Sequence, residues 1–244
     1  MDNPFTPLCR DIWSREAPEE TVQLLSPLLE GWSAPGRHYH TPQHLYEMLV
    51  DWNTVRAHSL HPNELFMAIW FHDFVYNPRR QDNEAQSAQM ATQLLSDVGW
   101  SAPDCQRVAE MVLRTRGHLD PQTPDEALLL DLDLRILGSS KERFCEYENQ
   151  IHQEYAWVPE DLYRQERSKV LRHFQEASSL FQTSEFQMRY TSLARVNLAY
   201  ALQSLAPTTA SILSSPPHAN AVAETPLPLD KDLGQRRPTT SQKR

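Results

Sequence analysis

Trp70-Phe71-His72-Asp73 sets an imidazole and a carboxylate side by side at the end of an apolar run that begins at Leu65. Upstream lies Arg37-His38-Tyr39-His40-Thr41-Pro42-Gln43-His44, and downstream Asp131 and Asp133 interrupt the leucine-rich stretch from Leu128 to Leu137. Imidazole and carboxylate are the groups with which proteins hold divalent transition ions. Adjacent side chains leave a helix about 100° apart, so His72 and Asp73 share one cation only if other helices supply the remaining ligands. Burying an unpaired carboxylate costs several kcal/mol, roughly, so aspartates inside an apolar helix need a partner. A cation is one such partner; exposure to water is the ordinary alternative for either aspartate, and a helix end is the ordinary alternative for His72-Asp73. Taken together, His40, His44, His72, Asp73, Asp131 and Asp133 suit Mn, Fe, Co, Ni, Zn or Mg with open positions for water and substrate. No cysteine lies among them, which speaks against a structural zinc. Such an ion acts as a Lewis acid and lowers the pKa of bound water to about 7, which points to hydrolysis.

The elements that must position these groups read as helices. Residues 7–30 carry Leu8, Ile12, Val22, Leu24, Leu25, Leu28 and Leu29, punctuated by Pro18 and Pro27, and predict one or two broken helices that cover the site from outside. Thr41-Pro42 supplies an N-cap and a first-turn proline for a helix through Leu45, Met48, Leu49 and Trp52. Pro62 opens the next helix, which ends near His72-Asp73. Asp82 is expected to cap a long one ending at Gly99, and Pro103 to begin another that stops at Gly117-His118. A helix from Leu128 should run to Leu137, with Gly138 as its C′ residue. The stripes Phe144, Tyr147, Ile151, Tyr155 and Val170, Leu171, Phe174 read as core, and a last helix spans about Ser184 to Leu205. No run alternates as a strand would. The expectation is an all-α multi-helix bundle over 1–206, followed by a disordered Pro/Ser/Thr-rich tail over 207–244.

Composition narrows the class. The chain has 244 residues, 40% of them hydrophobic, enough for a real core. Cys9, Cys105 and Cys145 are widely spaced and form no CxxC pair, so neither a disulfide framework nor a zinc ribbon is expected. No leader-like segment and no long apolar run is seen, so a cytoplasmic, membrane-free protein is expected. The formal charge of −9 argues against nucleic acid as a partner.

The order His, His-Asp, Asp on successive helices resembles the HD superfamily of metal-dependent phosphohydrolases. Tyr39-His40-Thr41-Pro42-Gln43-His44 resembles the first-helix motif of its cyclic-nucleotide phosphodiesterase branch, where the first histidine is the general acid and the second a metal ligand. The wider pattern is similar to a group of predicted phosphohydrolases of that superfamily. It comprises Arg37-His-Tyr-His40, Trp70-Phe-His-Asp-Phe-Val-Tyr76, Asn83-Glu84 with Ser87-Ala88, Asp131-Leu-Asp-Leu134 with Leu137-Gly138, and Ala194-Arg195-Val-Asn197-Leu, within residues 5–205. The resemblance implies an HD-like helical fold with His44, His72, Asp73 and one of Asp131 or Asp133 as metal ligands. His40 would protonate the leaving oxygen, and the implied substrate is a small, nucleotide-like phosphomonoester or phosphodiester. Glu84, with Asp82, is a candidate for orienting a ligand or the attacking water. His118 is a candidate for a second ion or the substrate phosphate, and Arg37, Arg79 and Arg80 are candidates for bidentate phosphate binding. The competing expectation is a helical module that binds a nucleotide or a protein without turnover.

Overall fold

A computed structural model describes residues 3–118 and 120–206; the tail expected to be disordered lies outside them. Ten α-helices make up the described residues: α1 (Thr6–Glu16), α2 (Leu25–Trp32), α3 (Pro42–Val55), α4 (Pro62–Phe71), α5 (Asn83–Asp97), α6 (Ala102–Arg114), α7 (Pro124–Leu134), α8 (Lys141–Glu154), α9 (Glu160–Glu176) and α10 (Ser184–Leu205). Short 3-10 turns occupy Glu19–Leu24, Arg56–His58 and Arg135–Gly138, and there is no strand among the described residues. The all-α expectation therefore holds. No helix in this part of the chain is long and apolar enough to cross a membrane.

The bundle is organised around α4. From Leu65 to Phe71 every side chain is buried, none more than 1% exposed, so this helix is apolar all round rather than amphipathic. Neighbouring helices α3, α5, α6 and α7 enclose it. Polar caps set several of the helix starts. Thr41, Ser101, Thr123, Ser140 and Thr183 each accept a backbone N–H from the first turn, and Pro42 and Pro124 follow at positions where no amide is needed. Asp82 departs from the expectation: it stands before α5 but makes no capping bond, because its carboxylate takes the Arg80 guanidinium in two bonds of 2.7 and 2.6 Å.

Two glycines owe their place to close packing. A Cβ on Gly31 would fall 2.5 Å from the ring of Phe74. Gly138 was expected as a left-handed helix terminator; α7 instead ends at Leu134 and tightens into a 3-10 turn, and Gly138 is not among the positive-φ residues. Its lack of a side chain lets α10 approach, since a Cβ there would lie 2.6 Å from the Cβ of Tyr190 and 2.7 Å from its carbonyl oxygen. The obstacle is helix backbone and cannot swing aside, so Gly138→Ala should cost about 1–3 kcal/mol. That exceeds the gain of about 0.4–1 kcal/mol that alanine brings by restricting the unfolded chain. Urea denaturation of the variant checks the sign; a stabilised protein would contradict the packing account.

Candidate metal centre

Three helices bring the polar groups to one point inside this core. His44 stands in the first turn of α3, His72 is the C-terminal cap residue of α4 with Asp73 following it, and Asp133 lies near the end of α7. The end of α4 and the start of α3 are backed from outside by Trp32 at the end of α2. Its Nε1 donates to the Trp70 carbonyl at 2.9 Å, and its ring lies 5.3 Å from that of His72 and 6.1 Å from that of His44. The expectation that the N-terminal helices cover the site is met by this residue.

The distances are those of a ligand set. One ligand atom each from His44, His72 and Asp133 lies within 4.8 Å of the others. The two Nε2 atoms of His44 and His72 are 3.3 Å apart, His44 Nε2 is 3.1 Å from Asp133 Oδ1, and His72 Nε2 is 3.3 Å from Asp73 Oδ2. Two bonds of about 2.1 Å enclosing about 90–110° set their outer atoms about 3.0–3.4 Å apart. Two of the three distances within the His44, His72 and Asp133 group match this spacing and the third, His72 Nε2 to Asp133 Oδ1, is 3.8 Å, so these three could hold one ion, while Asp73, expected as a ligand, adjoins His72 outside the group. Two imidazole nitrogens facing each other also need a proton or a cation between them, because both cannot present lone pairs.

Each of the three side chains is held from behind. His72 Nδ1–H donates to the Ile69 carbonyl at 2.8 Å, which leaves Nε2 facing the cluster. His44 Nδ1 lies 3.0 Å from the Tyr39 hydroxyl, and Asp133 Oδ2 lies 2.6 Å from His118 Nε2. His118 reaches it from a left-handed backbone conformation, φ 53°, right after Gly117 at φ 94°. The local charges follow. Burial opposes ionisation of Asp133, yet His118 and His44 hold its carboxyl well below the ordinary range. Burial likewise opposes charge on His72, but the Asp73 and Asp133 carboxylates outweigh it and raise its pKa to about 9. His44 moves the other way, because burial dominates there. A proton on His72 therefore occupies the place in the charge balance that a cation would take.

His40 adjoins the cluster. Its Nδ1–H donates to Glu154 Oε2 at 2.7 Å, its Nε2 lies 3.6 Å from Asp73 Oδ2, and its ring stacks on Tyr76 at 4.0 Å. Glu154 organises the whole segment: its Oε1 accepts the backbone N–H groups of His38, Tyr39 and His40 at 2.7, 2.8 and 3.1 Å, and Oε2 also accepts from the Tyr76 hydroxyl at 2.6 Å. Sequence reasoning missed this residue. Its signal was present, since Glu154 falls three residues after Ile151 on the same buried stripe of α8, where a carboxylate is out of place.

Other candidates are placed differently. Asp131 is not among the clustered ligands: its carboxylate accepts Gln182 N at 2.6 Å, Thr183 N at 2.8 Å and Thr183 Oγ1 at 2.6 Å, tying α7 to the start of α10. Burial raises it to about 6 against those three donors. Of the two aspartates left open by the sequence, Asp133 is the one in the centre. Arg37 serves as a clamp: its guanidinium donates to the carbonyls of His40, Asp73 and Phe74 at 3.2, 2.8 and 2.7 Å. Arg79 is exposed and stacks on Trp157 at 4.6 Å, away from the cavity, and Arg80 pairs with Asp82. Glu84, 4% exposed, lines the same cavity as His40, Asp73 and Asp133, where a role toward water is open to it. Asn83 and Ser87 instead bond the backbone of Asn77 and Val75 and pin the loop after Asp73. The cavity measures about 60 Å³, and Tyr147, Ile151, Tyr155 and Phe174 of the two aromatic stripes form part of its wall.

No family model, curated protein or solved structure matches this chain.

Glu154 yields a pH prediction. Burial would raise its pKa, but the bonds from His40, Tyr76 and the His38 amide bring it down to about 2 from the ordinary 4.5. A depressed carboxyl contributes stability above its unfolded pKa and loses it as pH falls toward the folded value. The stability advantage of wild type over Glu154→Gln should therefore be full at about pH 6 and shrink between about pH 4.5 and 2, by an amount on the order of 2–3 kcal/mol. Denaturation curves of both proteins at stepped pH measure this; a constant difference across that window would rule the linkage out.

Proposed function

We propose that this protein is a metal-dependent phosphohydrolase that cleaves a small phosphate ester. The observation that carries the reading is the convergence of His44, His72 and Asp133, with Asp73 beside them, at ligand spacing and each with an orienting bond behind it. These residues would hold the cation, and no residue of the set needs to move far to do so. A divalent ion there would polarise a phosphoryl oxygen and make a bound water acidic, with a pKa of about 7.

The remaining steps fall to the chain's own groups. His40, its Nδ1 fixed by Glu154 and its ring by Tyr76, turns Nε2 toward Asp73 and so toward the reacting centre. That atom delivers the proton to the departing oxygen, while Glu154 stabilises the charged ring from which it leaves. Trp32, Tyr39 and Tyr76 keep bulk water from the centre, which strengthens its electrostatics. Glu84 is the wall carboxylate suited to orient the attacking water. A void needs about 10–15 Å³ per water, so 60 Å³ admits a phosphoryl group and a few further atoms. Any base and ribose of a nucleotide would sit outside it.

Metal analysis of the purified protein, followed by a panel of phosphate esters with Mn, Co, Ni, Zn or Mg added, tests the reading. Bound ion with turnover supports it; bound ion without turnover on any ester favours a binding module instead; no ion under any condition refutes it. His44→Ala should lose ion and activity together and melt earlier, since a cation bound only by the folded state stabilises it. His40→Ala should keep the ion and lose about 10²–10⁴-fold in rate on esters with poor leaving groups, and much less on nitrophenyl esters, which leave without a proton. Asp133→Asn should lose the ion. Asp131→Asn should keep it while destabilising the fold by about 1–3 kcal/mol, as expected when a buried carboxylate facing three donors loses its charge.

A further inference from the structure

The proposed centre opens onto a cavity with a second charged wall. Arg167 of α9 is 2% exposed and lines that cavity together with His40, Asp73, Glu84 and Asp133, and among the described residues it is the only arginine or lysine to do so. The guanidinium is held on one side: Nη2 donates to the Tyr147 hydroxyl at 2.7 Å and to Glu148 Oε1 at 2.6 Å, and Nε lies 3.4 Å from Glu148 Oε2. Nη1 makes no hydrogen bond among the described residues. Nη1 is not among the fully desolvated polar atoms, so its two N–H groups stay open to the cavity although the residue as a whole is buried. Here those donors belong to a group on the cavity wall.

The arrangement relates this cation to the metal cluster. Tyr147, which anchors Arg167, packs edge-on against Tyr39 with ring centres 4.6 Å apart, and the Tyr39 hydroxyl meets His44. Apolar side chains, among them Ile136, Ile151 and Phe174, also line the cavity. The cavity wall therefore carries the carboxylates of the proposed cation site, a fixed guanidinium and hydrocarbon. Arg37, Arg79 and Arg80, the arginines that the sequence offered for phosphate, make their contacts elsewhere.

We propose that Arg167 binds a second anionic group of the substrate, so that the site selects short phosphate esters that carry a carboxylate or another phosphate a few atoms from the reacting phosphoryl group. The inference rests on the metal-centre reading for the position of that phosphoryl group. Glu148 partly neutralises Arg167 from the side away from the cavity, which keeps the guanidinium in place without a ligand and makes it a tunable anion site.

Binding of non-hydrolysable probes separates this inference from the activity. The metal-loaded full chain is titrated by calorimetry with methylphosphonate, and with phosphonoacetate and its two next longer homologues, which add a carboxylate at increasing reach. Wild type should bind one of the carboxylated probes about 10–100-fold more tightly than methylphosphonate, the range expected for a charge-assisted hydrogen bond. Arg167→Met should remove that preference, leaving the methylphosphonate affinity within about twofold. Glu148→Gln, which leaves Arg167 unneutralised, should widen it. Should Arg167→Met fail to fold, Glu148→Gln decides alone. Equal binding of all probes by wild type, or a preference unchanged by Glu148→Gln and by a folded Arg167→Met, overturns the inference even where phosphate esters are hydrolysed. Failure of the hydrolysis panel with the carboxylate preference intact overturns the proposed activity and not the anion site.

Discussion

Two imidazoles and two carboxylates meet where the apolar helix α4 ends, and the rest of the structure is arranged around the cost of keeping them there. His72 is fully buried, His44 is 2% exposed and Asp73 6% exposed. Charges so placed are stable only when paired and hydrogen-bonded, and breaking one such pair costs about 3–5 kcal/mol. The cluster meets this requirement by mutual proximity: carboxylates that hold His72 charged are the same ones whose own charge that proton offsets. A divalent cation would satisfy the same balance with more charge in less space, and His44, His72 and Asp133 are close enough to one another to hold one.

Much of the surrounding polar structure serves to hold loops in place. Arg37 gathers the carbonyls of His40, Asp73 and Phe74, so the segment before α3 and the turn after α4 are clamped to each other. Glu154 collects three consecutive amides from His38 to His40. Asn197 donates to the carbonyls of Leu137 and Ser139, and Arg195 to those closing α9. Arg37, Arg195 and Asn197 were noticed in the sequence as parts of a motif and Glu154 was not, yet all four share the task of satisfying the backbone where helices stop. A loop whose carbonyls and amides are taken up by buried side chains cannot drift, and the functional groups it carries keep their geometry.

The comparison of Asp131 with Asp133 shows how two residues of one type, two positions apart, take different roles. They point about 200° apart on α7. Asp133 faces the histidines; Asp131 faces the start of α10, where two amides and a hydroxyl of Gln182 and Thr183 await a carboxylate. Each therefore meets the rule that a buried charge needs partners, one with imidazoles and one with backbone. The rule by itself required that both be partnered without saying by what.

The amino-acid sequence by itself determined the helical class, most helix starts and the histidines and aspartates of the centre. Those features are written locally: Thr-Pro and Ser or Thr before an apolar run, a 3.6-residue period, and His-Asp at the end of α4 need no distant partner to be recognised. What depended on contacts between distant segments could be decided only by the tertiary structure. The choice of Asp133 over Asp131, the use of Arg37 as a clamp, the pairing of His118 with Asp133, the role of Glu154 and the reason for Gly138 all turn on which helix face meets which neighbour, 15 to more than 100 residues away. A rotation of about 100° per residue converts small differences in helix phase into different partners, and phase is set by packing, which no local pattern records.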